Sequence, residues 1–119
     1  MASTGSLEIL QKSLDLTARR HRVLAHNLAN VSTPGYRRQD LNFEAAFREA
    51  VSQGPEAVEQ FEPVVTIDDS APVRADGNSV SLDQELAEMS KNSMAFQMAM
   101  QMLNTRLSIE KMAISGRSM

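Results

Sequence analysis

His21 and His26 are the side chains best suited to metal or proton chemistry in this sequence. They stand five residues apart, which on a helix turns them about 140° from each other. One helix face does not present both, so a shared metal is not expected. Cysteine is absent, which removes thiolate sites and disulfides. Serine, aspartate and histidine occur without the spacing of a nucleophile elbow. The five glycines are scattered at turns and form no phosphate-cradling loop. These residues predict no enzyme, cofactor or metal.

Arg19, Arg20, Arg22, Arg37 and Arg38 raise the question of nucleic acid. The first three spread over several faces of a helix, and no recognition-helix spacing follows the turn after them. The overall charge is −3, a poor match to a phosphate backbone. Such arginines suit carboxylates on a protein partner better. Charge is also unevenly placed. Residues 1–40 carry six basic and three acidic side chains, residues 41–88 two and eleven, and residues 89–119 four and one. Two basic ends thus flank an acidic middle, and each end is suited to face the acidic middle of a neighbouring copy.

The elements that carry these residues read mainly as helix. Leu7, Leu10, Leu14, Thr17, His21, Leu24, Leu28 and Val31 recur at alternating spacings of three and four, the a/d stripe of a coiled coil. The spacing predicts a helix over 7–32, with Ser6 as its N-cap. It stops at "STPGY", because Pro34 disfavours helical geometry at Thr33 and Gly35 supplies the positive φ of a type II turn. Asn27, Asn30 and Thr33 carry short polar side chains suited to the last carbonyls and turn amides. Tyr36 is expected to anchor the departing chain on a neighbouring helix or subunit.

A shorter helix is expected on Phe43, Ala46, Phe47 and Ala50, capped by Asn42 and closed by Gly54. Residues 55–79 read as irregular, extended and mobile, with a candidate strand at "PVVTI", 63–67. A second long helix over 81–115 opens on Ser81 and Gln84, which resemble a capping box. Its stripe includes Leu82, Leu86, Met89, Ser93, Phe96, Met100, Leu103, Leu107 and Ile114. A second stripe, Met98, Met102, Thr105, Ile109 and Met112, lies about 160° around the same helix. Residues 1–119 are therefore expected to form one elongated domain, with an intervening region over 33–80.

A helix apolar on two opposed faces is normally covered on both. The first helix is long enough to cover one face, and nothing else in the chain is long enough for the other. Methionine suits an interface that must fit more than one partner. Aromatics make up only 4% of the sequence, so a self-sufficient globular core is not expected. The N-terminus has neither the cationic start and apolar core of a secretory signal nor a membrane span.

"NLANVSTPGY" resembles the Asn-x-x-Asn-x-x-Thr-Pro-Gly-Tyr signature of bacterial flagellar axial proteins, the rod, hook and hook-associated proteins. Its residues here are Asn27, Asn30, Thr33, Pro34, Gly35 and Tyr36. "RADGNSVSLDQELAEMSKN" resembles the segment that opens the C-terminal helix of basal-body proximal rod proteins, through Asp76, Gly77, Asn78 and Val80. The likeness covers residues 7–50 and 72–117. Phe96 stands where such proteins often have Tyr, and the middle region is short and acidic.

The resemblance implies a structural rod subunit whose N- and C-terminal helices pair as an antiparallel coiled coil. It implies a seam and assembly interface over Leu7, Leu10, Leu14, Leu24, Leu28, Leu86, Met89, Phe96, Met98, Met100, Met102, Leu103, Leu107, Ile109 and Met112. Implied partners are further copies, other rod proteins, the adaptor joining rod to membrane ring, and the flagellar type III export apparatus. Export without a cleaved signal, terminal helices that fold on assembly, and torque transmission to hook and filament follow from the same likeness. A soluble helical adaptor or export chaperone is the alternative reading.

Overall fold

The computed structural model describes residues 2–118, with side chains described over 5–116; the expected domain limits at 1 and 119 lie outside these. Helix α1 (Ala2–Ala29) begins well before Ser6, which lies inside it and not at its N-cap position. It ends at Ala29, so Val31 falls in the turn that follows. Strand β1 (Gln39–Asp40), α2 (Glu44–Gln53), α3 (Pro55–Gln60), β2 (Thr66–Ile67) and α4 (Leu82–Ser118) complete the order. The molecule is mainly helical and elongated, 69 × 26 × 14 Å.

Several boundaries depart from the sequence reading. Phe43, not Asn42, occupies the N-cap position of α2 and makes no side-chain cap bond, while Gly54 closes the helix as expected. Residues 55–60 are helical, not irregular. Pro55 at the first helical position supplies a ready-made φ and loses no needed N–H, and burying Val58 stabilises a helix too short to stand alone. Only Thr66 and Ile67 of the expected strand pair, antiparallel to Asp40 and Gln39. Ser81 does cap α4: its Oγ accepts from Gln84 N at 3.3 Å.

α1 buries two adjacent faces. Leu16 meets Leu41, Phe43, Phe47 and Val58 in a small core, with Ile9, Val23, Val51 and Phe61 packed around it. Thr17, Leu24 and Asn27 are buried on the side shared with α4. Cross-helix bonds join Asn27 to Glu85, Arg20 to Glu88 and Asn92 to Thr17, so numbers rise along α4 as they fall along α1.

The buried line of α4 runs Glu85, Asn92 and Ala99, with Met89, Leu103 and Arg106 half-buried beside it. It differs from the expected stripe by about one residue of rotation. Met89 and Leu103 belong to both, but Leu86, Phe96, Met100 and Leu107 are exposed. The physical reason is that close approach of two helices favours a small residue such as Ala99 and short polar groups able to bond across the gap. Periodicity alone weights every apolar residue alike.

Candidate functional site

The end of α1 and the start of α4 meet two tight turns. Thr33-Pro34-Gly35-Tyr36 closes through Tyr36 N to Thr33 O at 3.2 Å, with Gly35 at φ +76°. The second turn closes through Gly77 N to Arg74 O at 2.9 Å, with Gly77 at φ +83°. Gly35 N donates to Asp76 O at 2.9 Å. The two glycines lie so close that a Cβ on Gly77 would sit 3.2 Å from Gly35 Cα. Positive φ favours glycine at both positions, and the close approach further disfavours a side chain at Gly77.

Asn78 fastens the turns together. Its Nδ2 donates to Asn30 O at 2.9 Å and Thr33 O at 2.8 Å, while its Oδ1 accepts from Val80 N at 2.7 Å. Arg74 donates to the carbonyls of Val80 and Val31. Asn30 Nδ2 donates to His26 O, and Thr33 Oγ1 to Asn30 Oδ1, so one of the last four carbonyls of α1 is occupied.

Asn27 is fully buried and acts as a strand in miniature. It donates to Gln39 O at 2.7 Å and accepts from Gln39 N at 2.9 Å, satisfying both backbone groups on the side of β1 away from β2. Tyr36 Oη donates to Asn27 Oδ1 at 3.0 Å and lies 2.8 Å from His26 Nδ1. The tyrosine therefore anchors the departing chain on α1 of its own molecule. Burial raises its pKa, Glu85 adds to the rise, and Arg38 opposes it.

Beneath these turns lies an ion cluster. Arg38 donates to Glu85 from Nε and Nη2 and to Asp68 from Nη1 at 2.7 Å. Asn27 Nδ2 reaches the same Glu85 carboxylate at 3.2 Å. Burial disfavours the Arg38 charge, but the bonds from Glu85 and Asp68 outweigh it and raise its pKa. Asp68 is held below the usual carboxylate range by Ser70 Oγ, 2.6 Å away, and by Arg38. On the outer side, Arg20 bonds Glu44 at 3.0 Å and Glu88 at 2.9 Å, tying α1 to α2 and α4.

The structure thus brings Asn27, Asn30, Thr33, Pro34, Gly35 and Tyr36 against Asp76, Gly77, Asn78 and Val80. It brings the expected seam residues together only in part, with Leu10, Met98, Met102 and Ile109 along one open groove between α1 and α4. Leu24 is buried and Leu7, Leu10, Leu14 and Leu28 are half-buried, but Met98 (65% exposed), Met102, Ile109 and Met112 (71%) stand open. Glu85, Asp68 and Ser79 were missed, and Arg38 passed as one surface arginine among five. Glu85 lies one residue off the expected stripe of α4, so no pattern in the sequence marked it. No group of three His, Asp or Glu residues among the described residues fits a metal ion, and no described helix is long and apolar enough to cross a membrane.

An elongated helical body, a buried polar joint where chain segments cross, and open apolar faces define a protein built for packing. No family model matches the chain. It is similar to the flagellar basal body rod protein FlgB of Aeromonas hydrophila, 31% identical over 120 residues and 91% of each chain. The FlgB proteins of Escherichia coli K12 and Aquifex aeolicus are each 28% identical, over 87% and 94% of this chain and 88% and 94% of their own. The chain belongs to the FlgB family of flagellar basal body rod proteins, structural components and not enzymes.

Proposed function

We propose that this chain is a subunit of the proximal rod that assembles with its own copies and with other rod proteins through α1 and α4. The two helices pair as an antiparallel coiled-coil hairpin, and the assembled seams carry torque from the membrane ring to hook and filament. The adaptor between rod and ring is a further partner. The flagellar type III apparatus exports the chain without a cleaved signal, and the subunit takes its place in the rod across the periplasm.

One observation carries this reading. The second half of α4 exposes Met98, Met100, Met102, Leu107, Ile109 and Met112 on two opposed faces. Each such side chain gains roughly 1.5–3 kcal/mol when fully buried, so a solvated α4 is far from its lowest free energy. Open apolar surface of that extent marks an interaction site.

The test replaces Met98 and Met102 with Asp in a strain lacking the native protein. Rods should be absent from purified basal bodies and motility lost, while the purified variant keeps its helical content and melting temperature. Normal motility would remove α4 from the assembly interface.

A further inference from the structure

Residues 55–73 carry five carboxylates and no cation. Glu62 is paired with Arg19 and Asp68 with Arg38, whereas Glu56, Glu59 and Asp69 have no side-chain ion pair among the described residues. The same stretch exposes Val64 (71%), Val65, Ile67 and Val73. It is an exposed apolar stretch within an acidic segment of the chain. The second half of α4 is its complement: apolar side chains open to solvent and, over 100–119, three cations against one acid. Lys111, between Glu110 and the exposed Met112, has no ion pair among the described residues, while Arg106 holds Glu110 at 3.5 Å.

α4 packs along α1, and the acidic stretch is fastened to α1 through Lys12 and Arg19. We propose that the acidic apolar patch around Val64–Val73 receives the basic, methionine-rich second half of α4 from a second copy. This rests on the reading that copies assemble through α4. The two surfaces differ, so the contact is heterologous: each copy that donates α4 keeps its own patch free. Such contacts propagate into open chains instead of closed dimers. Their charges are exposed, so the contact weakens with salt.

The absence of cysteine makes a clean cross-linking test available. Val64→Cys and Met112→Cys, both at exposed positions, are made as separate full-length variants, checked for unchanged circular dichroism, and treated with a short bismaleimide alone and mixed. The expected result is a covalent dimer in the mixture, roughly tenfold above either variant alone, and lost in molar salt. Dimers of Met112→Cys alone, with no excess in the mixture, would overturn the patch while leaving assembly through α4 intact. No cross-link in any sample, with no concentration-dependent growth of wild-type scattering, would overturn both readings.

Discussion

Arg38 Nε lies 2.6 Å from Glu85 Oε1, and the two side chains are 2% and 0% exposed. Residues 47 apart in sequence thus close the loop between the two long helices around a dry ion pair. The desolvation of such a pair offsets most of its attraction, so its contribution is more to placement than to stability. Breaking it is another matter, because the remaining charge stays buried.

Arg38→Met should cost about 3–5 kcal/mol, and the apolar double variant Arg38→Met/Glu85→Leu should be far less affected than either Arg38→Met or Glu85→Leu alone. Urea denaturation followed by circular dichroism measures all four proteins. Equal losses in the single and double variants would mean that the site depends on the charges themselves. A domain of this kind has about 5–15 kcal/mol in total, so the single variant sits near the edge of folding.

Gly77 and Gly35 separate two physical effects. Gly35→Ala meets no atom within 4 Å and suffers only its φ of +76°, about 1–2 kcal/mol. Gly77→Ala adds a contact 3.2 Å from Gly35 Cα, part of a backbone already held by the Asp76 carbonyl. Gly77→Ala should therefore melt lower than Gly35→Ala. The reverse order would show that the two turns do not stay packed in solution. Gly35→Val, with a β-branched side chain at the same φ, should exceed Gly35→Ala and prevent assembly.

Asn78→Ala removes two donors and one acceptor at the crossing of the turns. The loss should be about 1–3 kcal/mol for the buried groups left unpaired. Its signature is local. Hydrogen exchange of the Gly35 and Ser79 amides, which bond across the turns, should accelerate, while amides within α2 keep wild-type rates. Uniform acceleration throughout the chain would mean that Asn78 acts on global stability alone.

Periodicity made the two long helices legible, because three-four spacing is written in consecutive residues. The rotation of α4 was not, since Glu85, Asn92 and Ala99 carry the buried side and only packing distinguishes them from Leu86 and Met100. The motif residues Asn27 to Tyr36 and Asp76 to Val80 stood out separately, yet their contact is a long-range event that no local pattern encodes. Arg38 was indistinguishable from Arg37 until the turn placed one inward and the other outward. Helix α3 had a readable start in Gly54-Pro55, outweighed by its brevity and the turn-forming residues beyond it.

Asp68 supplies a pH-dependent component to the same joint. Its carboxyl is held below its ordinary value by Ser70 first and Arg38 next. A folded pKa below the unfolded one means that the folded state binds fewer protons through the acid range, so stability rises with pH there. The contribution is complete above the unfolded value, about 3.9, and is lost as pH falls through the lower folded value. Asp68→Asn should therefore be less stable than wild type by a constant amount from about pH 5 to 7, with the gap narrowing at more acid pH. Thermal melts of the two proteins across that range measure it. A gap that stayed constant down to pH 2 would assign the loss to packing of the amide, and one that widened on acidification would reverse the sign of the linkage. Salt separates Asp68 from Glu62, whose carboxyl is also lowered, by Arg19 at the surface: molar salt should weaken the exposed Glu62 pair and leave most of the Asp68 effect.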